Sequence, residues 1–403
     1  MHIAKRIPCR LIQLVFRAAL PVLPYREPKP LSGVEEIAPL LLKRGVDCAL
    51  LVTDRGVRWL GLTAPLEAAL AGAGIACAVY EGVMPNPTID NVEAGRALYL
   101  SEGAQAIIAV GGGSAIDCAK AIGARIARPD KPVQRMKGLL RVLRRTPLTI
   151  AVPMTAGTGS ETTLAAVITD AREKHKYPIN DFSLIPDYAV LDPKMTCSLP
   201  PHLTASTGMD ALTHAVEAYI GRSTTAHTRA MAEEAVRLIA ENLLTAYRDG
   251  ANMKARSGML RAAYCAGVAF TQSYVGYVHG IAHSLGGQYG TPHGLANAVI
   301  LPHVLEAYGA ACYRKLACLA RRAGICLAPE DDVAAQAFIL WVKEMNREMG
   351  IPSSLQGIRW ADIPVMARHA ARECNPLYPV PVLMDESELA GLYRRLMPEE
   401  DRA

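Results

Sequence analysis

Between positions 48 and 153 the chain alternates two hydrophobic patterns. Four short runs are apolar at nearly every position: Cys48–Val52, Ile75–Tyr80, Ala106–Val110 and Thr149–Pro153. Runs of that length without alternation are strands buried on both faces. Between them, apolar residues recur at helical spacing over Leu60–Ala71, Ile89–Glu102 and Ala115–Ala124. Strand, helix, strand in this rhythm predicts a parallel, Rossmann-like sheet with helices on its faces. After Pro193 the strand signals stop. Helical patterning then continues to the C-terminus, broken by an irregular insert at Asn375–Val382. The expectation is an α/β domain over residues 31–197, a linker at Leu199-Pro-Pro201, and an all-α domain over 198–403. Residues 1–30 stand apart. Lys5, Arg6 and Arg10 precede an apolar run from Leu11 to Leu23, interrupted by Arg17 and ended by Pro21 and Pro24. That run is too short to span a bilayer and has no clean small-x-small cleavage site. An amphipathic arm packed on the body is expected.

Composition changes this picture little. Half of the 403 residues are hydrophobic (51%) and 20% are charged, as in a soluble globular protein. The net charge of +5 is mild, and the densest basic block is Arg141–Arg145, so nucleic acid is excluded as an expected partner. Ten cysteines are scattered without a C-x-x-C pair, which fits free thiols in a reducing cytoplasm.

Chemistry concentrates at two places. Val278–Asn297 holds His279, His283 and His293 in H-x3-H-x9-H spacing among several glycines. If the segment is helical, His279 and His283 share a face, while His293 returns from a loop after Thr291-Pro292. Imidazoles gathered in this way suit a divalent metal; a glycine-rich loop with capping histidines is the plainer account. Asp210 and His214 are also four apart on a helical stretch. Alone they would be a surface hydrogen bond; beside three histidines they are candidate ligands. The second place is Ala109-Val-Gly-Gly-Gly-Ser-Ala-Ile-Asp117, where a buried strand runs into Gly111, Gly112 and Gly113 and Ser114 sits where a helix N-cap belongs. Such a turn lets a pyrophosphate approach backbone N–H groups at a helix N-terminus, although it is not G-x-G-x-x-G and an ordinary tight turn has the same look. Pro153–Glu161 is a second strand exit, rich in glycine and hydroxyls, with Thr155, Thr158 and Ser160 as candidate phosphate or ribose contacts. Asp54 ends the first strand. It is either a helix cap or a ribose-binding carboxylate that favours NAD over NADP. Lys176 taken alone reads as a surface lysine.

Four motifs in order, G-G-G-S-A-I-D-C-A-K, T-A-G-T-G-S-E, G-M-D-A-L-T-H-A-V-E-A-Y and H-G-I-A-H-x9-H-G-L-A-N, resemble the iron-containing (group III) alcohol dehydrogenases from about Leu31 onward. The resemblance implies a dehydroquinate synthase-like two-domain architecture. It assigns Asp210, His214, His279 and His293 as metal ligands, and His283 as an active-site histidine outside the ligand set. It places Gly112, Gly113, Ser114 and Asp117 at the pyrophosphate turn, and Thr155, Thr158 and Ser160 on a second cofactor loop. Lys176 and Asp54 approach the cofactor, and Asn86 joins them from the Val83–Thr88 loop. Phe270 lies near the substrate, as does Ala165, which stands where some relatives carry a polar side chain. The implied cofactors are NAD(H) and Fe(II), with Zn(II) also suited to one carboxylate and three imidazoles. The implied reaction is hydride transfer between NAD(H) and a small alcohol or aldehyde held in a cleft between the halves. A cytoplasmic homodimer is the expected assembly. Alternatives are a dehydroquinate synthase-like lyase, against which the G-M-D-A-L-T-H helix argues, and a reductase of a hydroxyacid or diol. H-G-I-A-H lacks the glutamate of H-E-x-x-H, which excludes a metalloprotease of that type.

Overall fold

The structure, a computed structural model, describes residues 3–172 and 175–402. The chain forms two compact units. One is Pro24–Leu199; the other joins Met1–Leu23 to Pro200–Ala403.

The first unit is built on a six-stranded parallel sheet. Its strands are β1 (Lys29–Leu31), β2 (Cys48–Val52), β3 (Ala76–Tyr80), β4 (Ala106–Gly111), β6 (Leu148–Pro153) and β9 (Tyr188–Val190), in the order β1-β9-β6-β4-β2-β3. A small second sheet holds β5 (Gly138–Leu139), β7 (Ala165–Asp170) and β8 (His175–Asn180). The all-apolar runs are explained by burial on both faces. In β2 and β4, Leu50, Val52, Ile107 and Ala109 enter one core, while Ala49, Leu51, Ile108 and Val110 enter the other. The chain leaves β2 toward β3 on one side and returns to β4 on the other. The carboxyl ends of β2 and β4 therefore flank a reversal in strand order, the place where open α/β sheets bind ligands.

Three local expectations need correction. The run Leu60–Ala71 is helical only from Ala64 (helix Ala64–Gly72), and a separate short helix Arg55–Trp59 precedes it; between them Gly61 takes a positive φ and Thr63 opens a new turn ahead of Pro65. Ser114 is not the N-cap: the helix is Gly113–Ala127 and Gly112, extended, occupies that position. The β7–β8 hairpin is unannounced by the pattern, since Lys176 and Pro178 interrupt its apolar positions, and Lys176 lies on a strand. The three-residue strands β1 and β9 carry too few residues to set a period.

The second unit is helical among its described residues. Its main helices are Pro201–Ile220, Ala226–Arg248, Met253–Ser273, Tyr277–Tyr289, His293–Tyr308, Ala310–Arg322, Asp331–Glu348, Ile363–Cys374 and Glu386–Leu396, with Ile3–Ala19 packed against them. Pro201–Ile220 is central, with Gly208 to Ile220 all buried. This explains why its sequence lacks a polar stripe and why its few polar residues demand partners. No helix among the described residues is long and apolar enough to cross a membrane.

Candidate functional site

The second unit brings Asp210, His214, His279 and His293 together: one donor atom from each lies within 4.8 Å of the others. Asp210 and His214 project one turn apart from the Pro201–Ile220 helix, and His279 comes from the first turn of Tyr277–Tyr289. His293 does not come from a loop. It is the first residue of the helix His293–Tyr308, whose start is set by Pro292. A side chain at residue 294 would place its Cβ 2.6 Å from the Ser206 carbonyl, so Gly294 is what lets this helix approach close enough to present His293. Asp210, His214 and His279 are buried, whereas His293 is exposed. His214 and His279 stack with centroids 4.5 Å apart. Burial, and then the neighbouring His214, His293 and His283, hold the His279 pKa well below its ordinary value. The ring is therefore neutral near pH 7, the form that ligates metal. One carboxylate and three convergent imidazoles fit a divalent transition metal.

Two residues packed against this cluster, Glu217 and Asn297, went unassigned in the sequence. Glu217 is buried behind His279, with Oε2 2.7 Å from Nδ1. It also accepts from the backbone N–H of Gly276 at 2.7 Å and of Val278 at 2.8 Å. Burial pushes this carboxyl up to about 7, against the pull of those N–H groups. A carboxylate on Nδ1 fixes the tautomer whose Nε2 is bare, the usual arrangement behind a metal-ligating histidine. The signal was present, since Glu217 follows Asp210 by seven residues and His214 by three, on the same helix face. Asn297, fully buried one turn after His293, donates from Nδ2 to Asp210 Oδ1 at 2.7 Å. Phe270 stacks on His214 with centroids 4.1 Å apart, so the aromatic expected near substrate lies against a candidate ligand.

His283 points elsewhere. Its Nδ1 is 2.6 Å from Glu373 Oε1, and its ring stacks on His293 with centroids 5.3 Å apart. Glu373 also accepts from the Tyr378 hydroxyl at 2.8 Å. Burial would raise the Glu373 carboxyl, but His283, Tyr378 and His293 together outweigh it and hold the pKa below the ordinary value. The C-terminal tail, which shows no chemistry in its pattern, therefore supplies the partner of His283.

In the first unit the two candidate cofactor loops are packed on one another. Cβ atoms built at Gly112 and Gly113 would lie 3.6 Å from Thr155 Cγ2 and 3.1 Å from Thr158 Cγ2. Asp117 accepts from Ser160 Oγ at 2.5 Å and from the Val167 N–H at 3.0 Å, so it ties the glycine turn to the hydroxyl loop and to β7. Lys120, buried below, donates to Ser160 Oγ, to Thr163 and to the Ala165 carbonyl. Thr155 Oγ1 is buried without a hydrogen-bond partner, as expected of a group that awaits a ligand. Asp54 plays the capping part with one oxygen, accepting from the Val57 N–H at 3.0 Å. Its Oδ2 lies 3.7 Å from where a Cβ on Gly111 would stand, over the glycine turn. Lys176 donates to Asn86 Oδ1 at 2.8 Å, which joins two of the residues that the resemblance groups around the cofactor.

A parallel sheet with a glycine turn at its switch point and a helical unit with a carboxylate–imidazole cluster define a metal-using α/β-plus-α oxidoreductase class. Residues 32–193 match the model of the iron-containing alcohol dehydrogenases, and residues 204–397 match that of the C-terminal part of the Fe-containing alcohol dehydrogenase family. The chain belongs to the iron-containing alcohol dehydrogenase family. It is 39% identical over 386 residues to the 1,3-propanediol dehydrogenase of Klebsiella pneumoniae, covering 94% of this chain and 98% of that protein. It is 36% identical over 342 residues to the NAD-dependent methanol dehydrogenase of Bacillus methanolicus, covering 84% and 90%. The crystal structure of a 1,3-propanediol oxidoreductase superposes with a TM-score of 0.89 at 37% identity, covering 93% of this chain and 99% of that one.

Proposed function

We propose that this alcohol dehydrogenase transfers hydride between NAD(H) and a small primary alcohol or aldehyde, with Fe(II) held by Asp210, His214, His279 and His293. The convergence of those four donor atoms within 4.8 Å carries the reading. Zn(II) suits the same donors. When bound, the ion supplies Lewis acidity toward the substrate oxygen. The protein's own groups do the rest. Glu217 keeps His279 in its ligating tautomer. His283, partly exposed and backed by Glu373, takes the alcohol proton at Nε2 and passes it to solvent, or returns it in aldehyde reduction. Asp54 Oδ2 accepts from an unphosphorylated ribose and repels a 2′-phosphate. Gly112, Gly113 and Ser114 offer backbone N–H groups to the pyrophosphate at a helix N-terminus, and Thr155 and Thr158 offer hydroxyls. The names of the relatives bracket short alcohols with one or two hydroxyls. Ala165, an apolar side chain, favours the monohydric ones. A cytoplasmic homodimer is the proposed assembly; all ten cysteines are free, in keeping with a reducing compartment.

The test is metal analysis of anaerobically purified protein, followed by an alcohol and aldehyde panel with NAD(H) and NADP(H). Accumulating NADH with a primary alcohol, dependent on the bound metal, supports the reading. No net nicotinamide reduction would refute the dehydrogenase reading, and a strong preference for NADP would refute the role of Asp54.

A further inference from the structure

The N-terminal helix Ile3–Ala19 is seated with its polar side inward. Gln13 is buried and donates from Nε2 to the carbonyls of Pro376 (3.1 Å) and Tyr378 (2.7 Å). Arg10 donates to the carbonyls of Val380 (2.7 Å) and Pro381 (2.8 Å). Phe16 meets Tyr274 edge-on at 4.8 Å. Cys9, Gln13, Phe16 and Leu20 thus make the inner face. At helical spacing, Ile7, Leu11, Leu14 and Val15 fall on the opposite face and are 66%, 60%, 60% and 63% exposed; Val22, just beyond, is 82% exposed. The border of this face opens on an apolar cavity of about 430 Å³ lined by Leu11, Ile12, Val15, Phe16, Tyr274 and Leu377 among others. An amphipathic helix on a globular body ordinarily turns its apolar stripe inward. Here the hydrogen bonds to the 376–381 loop forbid that rotation, and a contiguous apolar face is held out in water.

Charge decides what covers it. The helix has no acidic residue, and Arg6, Arg10 and Arg17 lie along one border of the apolar face. Arg222 and Arg6 crowd Arg10, and Arg229, Arg17, Arg222 and Arg314 crowd Lys315. Lys315 is held in place by the carbonyls of Tyr219, Ile220 and Gly221. A second copy of this chain would bring the same cations against these. A surface of anionic headgroups over acyl chains matches both the charge and the apolar stripe. We propose that this helix lies in the plane of an anionic lipid surface, with Ile7, Leu11, Leu14 and Val15 among the acyl chains and Arg6 and Arg17 at the headgroups. The enzyme is then a peripheral one, attached by a face remote in sequence from the metal-binding motifs.

The experiment is co-sedimentation of the full chain with vesicles of phosphatidylcholine alone, or mixed with phosphatidylglycerol, across a salt series. The oligomeric state is measured in parallel by light scattering. The wild type is expected in the pellet with the anionic vesicles only, released by salt. The double variant Leu14→Glu/Val15→Glu, at positions exposed in the fold, loses at least about a hundredfold in partitioning, with unchanged melting temperature and alcohol oxidation. Arg6→Glu/Arg17→Glu loses about tenfold or more. Absence of the wild type from the anionic pellet, or equal pelleting of the double variant, overturns the proposal. So does a wild-type oligomer that Leu14→Glu/Val15→Glu dissociates, since the face would then be covered by a second copy.

Discussion

Glu217→Gln removes an acceptor and adds a donor where every neighbour already donates. In the native arrangement two carboxylate oxygens serve three N–H groups: those of Gly276 (2.7 Å), Val278 (2.8 Å) and His279 Nδ1 (2.7 Å). Glutamine has one oxygen. Turned toward Gly276 and His279, its NH2 opposes the Val278 N–H; turned the other way, it opposes both of the others. Either leaves a buried donor unpaired, at about 1–3 kcal/mol. In the second orientation His279 escapes by moving its proton to Nε2, the nitrogen that has to be bare to meet a cation. Metal affinity is then expected to fall by about 10- to 100-fold, or about 1.4–2.7 kcal/mol. Zn(II) titration of the metal-free protein against a chromophoric chelator measures the loss of affinity, and thermal unfolding of the metal-free protein measures the cost of the unpaired donor. Turnover recovers in part at excess metal, because the first coordination sphere is intact. If both metal affinity within twofold and melting temperature are unchanged, Glu217 is not what orients His279.

Five further substitutions separate the parts of the protein. His279→Ala is expected to abolish turnover and metal retention while largely sparing NADH binding, measured by fluorescence titration; full activity refutes the ligand assignment. Glu373→Gln withdraws the carboxylate from His283 Nδ1 and should lower kcat by about 10²-fold, with the His283 limb of the pH–rate profile moved to lower pH; an unmoved profile removes His283 from proton transfer. Gly112→Ala has ordinary room beside Thr155, so stability should change by less than about 1 kcal/mol while NADH binding weakens, whereas Gly113→Ala also forces Thr158 aside and lowers the melting temperature. Neither Glu161 oxygen has a hydrogen-bond partner in another residue, and burial pushes this carboxyl up to about 7 from 4.5, against the pull of its own backbone N–H and of Lys120. The folded state thus binds the proton more tightly than the unfolded chain. Stability from this group is complete below the unfolded value and is lost as pH rises through about 7. Glu161→Gln should accordingly gain about 2 kcal/mol over the wild type near pH 8 and almost nothing near pH 5 by urea unfolding; equal gains at both would refute the buried-charge account.

The sequence displays what repeats and hides what is single. Strands β2, β3, β4 and β6 were legible because burial on both faces makes a whole run apolar, and the order of runs and helices then restricts the sheet. The β7–β8 hairpin was not, since Pro178 and Lys176 break its alternation and its pairing is fixed by a partner strand. The candidate ligands stood out because metal chemistry demands a rare residue type several times over. Glu217 and Glu373 are carboxylates among 38 acidic residues, and nothing local distinguishes one that meets an imidazole from one that meets water. Glu217 had a weak signal in its seven-residue distance from Asp210. Glu373 had none, because its contact with His283 spans 90 positions.

The N-terminal helix marks the same boundary from the other side. Its periodicity announces two faces, and the natural inference is that the apolar one packs. Which face turns inward is decided by four hydrogen bonds from Arg10 and Gln13 and by a loop 363 to 371 residues away that offers the carbonyls. Each bond to a charged or buried group contributes about 1–3 kcal/mol, comparable to burying one leucine. A short helix with Ile7, Leu11, Leu14 and Val15 turned outward can therefore be held the wrong way round only if those residues have somewhere else to go. That condition makes the exposed stripe evidence for a partner surface, and the excess of arginine around it is what selects an anionic one.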